Sequence, residues 1–116
     1  MQQKHIKLMK ARKTIILLLI FSFSFQMNAQ KPEKKAQKFT DEMTEVLSLN
    51  KEESKAIYEI QLERFKENKA INKNYADDQE KRKEELKKLG NKVYNQTKKV
   101  IGVERQKQWK AYKSKN

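Results

Sequence analysis

The sequence predicts an all-α protein, and three observations support this. Pro32, Gly90 and Gly102 are the only proline and glycines in the chain. After residue 30 the chain is rich in Lys, Glu, Gln and Ala and lacks the apolar–polar alternation typical of strands. Apolar residues recur instead at spacings of three and four, which places them on one face of a helix. We therefore expect about four helical segments in one domain.

The first 29 residues have the pattern of a signal peptide. A cationic stretch up to Lys13 precedes an apolar run from Thr14 to Phe25. This run is about 12 residues long, whereas a membrane-spanning helix needs about 17 to 25. Ala29 ends a short segment that fits signal-peptidase cleavage, which makes Gln30 the first mature residue. We therefore predict a periplasmic or secreted protein with no membrane span after cleavage.

Cleavage after Ala29 removes five of the 28 basic residues and none of the 15 acidic ones, so residues 30–116 carry a net charge of +8. It also removes His5, the only histidine, and the chain has no cysteine. Neither imidazole nor thiol then remains for metal binding or nucleophilic catalysis. We expect a single domain over residues 30–116, with no enzymatic activity and no cofactor.

The first predicted helix extends from about Pro32 to Leu47. Pro32 suits a first helical turn because its missing N–H would be unpaired there in any case. The apolar face of this segment consists of Ala36, Phe39, Met43, Val46 and Leu47. This stripe predicts a helix with one buried side.

The second predicted helix begins after Leu49. Asn50 and Glu53 have the spacing of a capping box, in which each side chain accepts a hydrogen bond from the other residue's backbone N–H. The apolar residues that follow form a broad face: Ile57, Tyr58, Ile60, Leu62, Phe65 and Ile71. Asn72 and Asn74 weaken the helix, so we expect a break or bend near Asn74.

The third segment opens at Asp77, which has Glu80 three residues later at the capping spacing. Its apolar stripe is narrow and consists of Leu86, Leu89, Val93 and Val100. Gly90 costs this helix about 1 kcal/mol relative to alanine. A short fourth helix is expected after Gly102, with Val103, Trp109 and Tyr112 as its apolar residues.

The apolar content of this domain is low. Leu, Ile, Val and Phe make up 15 of the 87 residues from Gln30 to Asn116. Small domains with few apolar residues usually need an additional source of stability, and neither disulfides nor metal ligands are available here. We therefore predict a homodimer.

The segment from Leu47 to Glu53 resembles the Leu-Thr-x-x-Gln motif of the Spy and CpxP family of periplasmic helical proteins. That motif occurs twice in the family, and the second copy would lie at Val100 to Arg105. The segment Phe39 to Thr44 is similar to the family as well. The residues that carry the motif and the helix caps are Leu49, Asn50, Glu53, Ile101, Gly102 and Arg105.

The two copies depart from the family motif in different ways. Asn50 and Glu53 replace Thr and Gln and keep the capping chemistry, whereas Gly102 and Arg105 cannot form a reciprocal cap. The resemblance implies an extended helical hairpin or cradle, a dimer, and an ATP-independent chaperone or envelope-stress protein that binds unfolded or misfolded clients through a basic, partly apolar surface.

Several aromatic and apolar residues are candidates for the client or dimer surface. Aromatic rings with a polar edge are favoured at interfaces, although apolar residues at helical spacing are most often core. The candidates are Tyr58, Leu62, Phe65, Ile71, Tyr75, Trp109 and Tyr112. The alternative function is a cationic surface-interaction protein that binds anionic envelope polymers. Specific nucleic-acid binding is not expected, because basic and acidic residues are interleaved.

Overall fold

The computed structural model describes residues 30–116, and the predicted signal peptide lies outside the described residues. Within that range the chain forms three helices: α1 (Pro32–Leu47), α2 (Lys51–Asn74) and α3 (Gln79–Lys115). No residue from 30 to 116 is in a strand. The prediction of an all-α fold is confirmed, and the residues predicted to form a fourth helix after Gly102 are the last part of α3, which a kink at Gly102 separates from the rest of that helix.

Helix α1 begins at Pro32, in the first-turn position that the sequence predicts, and no side chain caps it. It ends at Ser48, which adopts the left-handed conformation (φ 54°) that often terminates helices. The Leu49 N–H then bonds to the carbonyl of Thr44 at 3.2 Å. The Thr44 hydroxyl also lies 2.7 Å from the hydroxyl of Ser54, which ties the end of α1 to the start of α2.

Helix α2 begins with the predicted capping box. The Glu53 N–H donates to Asn50 Oδ1 at 2.8 Å, and the Asn50 N–H donates to Glu53 Oε1 at 3.1 Å. The helix ends at Asn74, where the sequence predicts a break. The residues buried along α2 are Ile57 and Gln61, so a polar residue that the sequence analysis passed over lies at the centre of its buried face.

The predicted start of α3 was wrong by one residue. Asp78, and not Asp77, is the N-cap, and its Oδ1 accepts a hydrogen bond from the Lys81 N–H at 3.0 Å. Asp77 and Asp78 are both followed by charged residues at helical spacing. Spacing alone therefore does not show which of the two is the N-cap. Asp78 is the residue with the extended backbone (φ −128°, ψ 90°) that an N-cap requires.

Helix α3 is sharply bent at Gly102, whose backbone is non-helical (φ 85°, ψ 167°). Residues 79–101 form its first limb and residues 103–115 its terminal limb. The Gln106 side chain donates to the carbonyl of Tyr94 at 3.3 Å, although these residues would lie about 18 Å apart along a straight helix. The terminal limb therefore folds back beside the first limb.

The core lies between the three helices, with α2 packed against both α1 and α3. One cluster of buried apolar residues joins the end of α1, the start of α2 and the bend of α3: Met43, Leu47, Leu49, Ile57 and Ile101. In the first limb, Leu89 and Val93 are buried, as the apolar stripe predicts. The buried polar residues are Thr40, Gln61 and Thr97. The core is therefore small and partly polar, as the low apolar content led us to expect.

The two glycines should respond oppositely to substitution by alanine. A Cβ at Gly90 meets no atom within 4 Å, so Gly90→Ala should raise the free energy of unfolding by about 1 kcal/mol through helix propensity. Gly102 occupies a backbone region that is essentially restricted to glycine, so Gly102→Ala should lower it by about 1 to 3 kcal/mol. Urea denaturation followed by circular dichroism measures both changes. Equal effects at the two positions would contradict the bend.

Candidate functional site

An ion pair joins the start of α2 to the residues that follow the bend at Gly102. Arg105, from the second copy, donates through Nη1 to Glu53 Oε1 at 3.1 Å and through Nη2 to Glu53 Oε2. The same guanidinium donates through Nε to the carbonyl of Ile101 at 2.9 Å. Arg105 makes no reciprocal cap of the family type. It links the cap of α2 to the carbonyl that precedes the bend at Gly102.

The charges at this junction stabilise each other. Hydrogen bonds from Arg105, and then from the Asn50 backbone N–H, hold the pKa of Glu53 below its usual value. The Glu53 carboxylate in turn raises the pKa of Arg105. Both side chains are partly buried, and the paired fork-to-carboxylate geometry is the strong form of this interaction. The junction is therefore a structural element that depends on the ionised form of Glu53.

The stability of the protein should depend on pH through Glu53. Folding lowers the pKa of Glu53, so ionised Glu53 stabilises the folded state. This stabilisation is fully present above about pH 4.3, the pKa of an unfolded glutamate, and is lost as pH falls through the folded pKa. Glu53→Gln keeps a cap acceptor but removes the charge. It should lower the urea midpoint at pH 7, and the difference from the wild type should shrink as pH falls below 4.3.

Glu52→Gln is the matched control, because Glu52 is exposed in the same helical turn and forms no salt bridge within residues 30–116. A constant difference between Glu53→Gln and the wild type from pH 7 to about pH 3 would contradict the assigned role of Glu53, since a glutamate with an unshifted pKa titrates near 4.3 in both states.

Aromatic rings gather where the terminal limb of α3 crosses α1. The ring of Trp109 packs edge-on against Phe39 with centroids 5.3 Å apart, and stacks on Tyr112 at 5.5 Å. The ammonium of Lys113 lies 5.4 Å from the Trp109 ring centroid and 3.0 Å from Glu42 Oε1. Trp109 and Tyr112, two of the predicted surface residues, therefore form a half-buried cluster with α1.

The other predicted surface residues belong to α2 and the turn after it. Tyr58, Leu62 and Phe65 lie on one flank of the buried stripe of α2, and Ile71 lies on the other flank. Tyr75 is the C-cap of α2. All five are partly buried. No aromatic pairing joins them to Trp109 within residues 30–116.

Phe65 has a cationic environment. The Arg64 guanidinium lies 5.6 Å from its ring centroid and the Lys35 ammonium 5.9 Å from it. Such distances allow cation–π attraction of about 0.5 to 1 kcal/mol at exposed sites. Leu62, by contrast, borders a shallow depression with Glu59, Glu63 and Lys66. The flank of α2 thus changes from basic to acidic over one helical turn.

A groove of about 340 Å³ lies between α1, α2 and the two limbs of α3. Its lining combines aromatic, apolar, amide and cationic side chains: Phe39, Met43, Gln61, Arg64, Gly90, Val93, Tyr94, Thr97, Gln106, Trp109 and Lys113. Arg64 Nη1 donates to Gln61 Oε1 at 3.1 Å. Gln106 Oε1 is buried and has no hydrogen-bond donor among the described residues. Because the groove depends on the bend at Gly102, helical periodicity alone could not reveal it.

Positive charge is segregated along the chain, contrary to the interleaving that we expected. Residues 30–85 contain 13 basic and 14 acidic residues, whereas residues 86–116 contain ten basic residues and one acidic residue, Glu104. The excess positive charge therefore lies on α3, from residue 86 onwards. At the outer side of the bend, Lys98 and Lys99 border a depression with Val103, which is 47% exposed. A count of charge by segment would have found this.

Residues 30–116 contain no group of three or more acidic, histidine or cysteine side chains placed to hold a metal ion. In the same range, none of the helices combines the length and the apolar character needed to cross a membrane. Three surfaces for contact have been described: the aromatic cluster around Trp109, the groove, and the basic residues of 86–116.

The fold and these surfaces define a small, basic, all-helical protein in which Glu53 and Arg105 form an ion-paired junction beside a groove. Residues 25–116 match the family model described as "Domain of unknown function (DUF4890)", and the chain belongs to that family. No curated protein and no solved structure matched the chain.

Proposed function

We propose that this protein is a periplasmic or secreted, ATP-independent chaperone-like or envelope-stress protein that binds misfolded clients through apolar and basic helical surfaces. The observation that carries the proposal is the terminal limb of α3, where aromatic rings lie beside unbalanced positive charge. Trp109 and Tyr112 present partly exposed rings, and residues 86–116 carry a net charge of +9 whereas residues 30–85 carry −1. Such a surface suits segments with both apolar and acidic groups.

The capping box of Asn50 and Glu53 supports the proposed likeness to the Spy and CpxP family, whereas Arg105 departs from the family motif. Asn50 and Glu53 in the first copy and Ile101 and Arg105 in the second converge on one junction. Export through cleavage after Ala29 belongs to the same proposal.

The chaperone proposal is tested by light scattering. The full chain is expressed, recovered in its processed form, and added to a denatured client as it aggregates, at about 0.1 M and about 1 M salt, where the screening length is about 10 Å and about 3 Å. We expect suppression that persists at high salt, because the aromatic and apolar contacts are not screened. If client aggregation is not suppressed at either salt concentration, the chaperone proposal is wrong.

The second candidate function is binding of anionic envelope polymers, and the exposed lysines at the bend favour it. Lys98 and Lys99 form no salt bridge within residues 30–116. Suppression that disappears at 1 M salt would favour this candidate. A Lys98→Gln/Lys99→Gln variant should then lose affinity for a sulfated polysaccharide, while a Lys34→Gln/Lys38→Gln variant, with the same charge change on α1, should not.

We also propose a homodimer, because the buried core is small and partly polar. Buried apolar side chains are few, and three buried residues are polar. Sedimentation equilibrium over a range of protein concentrations should give the mass of two chains. A compact monomer at the highest concentration would contradict the dimer.

A further inference from the structure

The groove between the helices combines three kinds of side chain. Phe39 and Trp109 form an aromatic wall. Arg64 and Lys113 are its charged lining residues, and no carboxylate lines it in the described part of the chain. Amide side chains lie among these groups. An occupant that fits must therefore offer apolar surface, negative charge and hydrogen-bonding groups together.

Gln106 provides an acceptor that the protein leaves unmatched. Its Nε2 donates to the carbonyl of Tyr94, but its Oε1 is buried with no donor from residues 30–116. A buried acceptor without a hydrogen-bond donor destabilises the protein, because it has lost its contact with water and gained nothing in return. An occupant that donates an N–H to Gln106 Oε1 would remove this cost, and every peptide residue except proline carries such a group.

The two cations of the groove differ in availability. The Lys113 ammonium is already 3.0 Å from Glu42 Oε1. Arg64 donates to the neutral amide of Gln61 and forms no salt bridge within the described residues. Its positive charge is therefore not neutralised, and its planar guanidinium is suited to a carboxylate.

The size of the groove limits the occupant. About 340 Å³ is near the lower end of the range for ligand pockets, about 300 to 1,000 Å³. A helix with its side chains is about 10 to 12 Å across and is too wide for such a space. One large side chain with its adjoining backbone is of suitable size.

We propose that the groove binds an acidic, extended segment of an unfolded polypeptide, with one aromatic side chain against Phe39 and Trp109 and a neighbouring carboxylate on Arg64. A backbone N–H of the segment donates to Gln106 Oε1. The inference rests on the proposed function, because it names the part of a client that the groove holds.

Trp109 provides the measurement, because it is the only tryptophan in the chain and it lines the groove. The full chain is expressed and the protein is recovered in its processed form. The emission of Trp109 is then followed while this protein is titrated with the tripeptide Glu-Phe-Glu, acetylated and amidated at its ends. Glu-Ala-Glu and Lys-Phe-Lys, blocked in the same way, are the comparison peptides. We expect a saturable change with Glu-Phe-Glu and much weaker binding of the other two.

Two variants locate the binding. A Cβ at Gly90 meets open space in the groove lining, so Gly90→Leu should fill the groove and abolish the emission change, whereas Asn91→Leu, at the exposed neighbouring position, should not. Arg64→Gln should weaken binding by about threefold, as for an exposed ion pair, and Lys66→Gln should leave it unchanged. Melting temperatures establish that each variant is folded. If Gly90→Leu does not fold, Arg64→Gln still tests the groove.

The outcomes separate this inference from the proposed function. The groove assignment is overturned if Glu-Phe-Glu causes no saturable change in emission, or if folded Gly90→Leu binds the peptide as well as the wild type does. In either case the proposed function stands if client aggregation is still suppressed. Trp109 emission that changes with protein concentration alone assigns the groove to a second copy of the chain and also overturns it. Binding as expected without any suppression of aggregation overturns the proposed function and supports the ligand chemistry.

Discussion

The structure depends on the backbone conformation of Gly102. A residue with φ 85° and ψ 167° interrupts what would otherwise be one straight helix, and only glycine adopts this conformation at low cost. The bend returns the terminal limb to α1, brings Trp109 against Phe39 and turns Arg105 toward Glu53. Without it, α1 would lose its aromatic partner and the groove would have no fourth wall.

The Glu53–Arg105 pair holds the bend in place. A glycine that permits a bend does not fix its direction, because it has no side chain with which to do so. Arg105 supplies this by bonding to the Ile101 carbonyl before the bend and to the α2 cap at the same time. The cap is therefore more than a helix start, since it anchors a segment more than fifty residues further along the chain.

Local features of the fold could be predicted from the sequence. Pro32 at the start of α1, the Asn50–Glu53 capping box and the end of α2 at Asn74 all follow from interactions within a few residues. The apolar stripes identified Met43, Ile57, Leu89 and Val93 as core residues. The shift from Asp77 to Asp78 is the error expected where two aspartates compete for one cap.

Features that depend on distant parts of the chain could not be predicted in this way. Arg105 appeared only as a departure from a motif, because its partner Glu53 is far away in sequence. The burial of Gln61 requires α1 and α3 to cover it, and a polar residue in an apolar stripe gives no signal of this. The groove is the product of the bend, so its lining residues come from three helices that no single periodic pattern connects.

The contacts of the terminal limb differ from the others in the distance along the chain that they span. Helices α1 and α2, and α2 and α3, are neighbours in sequence, and their packing closes short loops. The link from Lys113 to Glu42 joins residues 71 apart. Contacts that close such long loops form late in folding, and segments held by few of them open first. We therefore expect the terminal limb to detach more readily than the rest of the fold, which would uncover Phe39 on α1 while α1, α2 and the first limb stay packed.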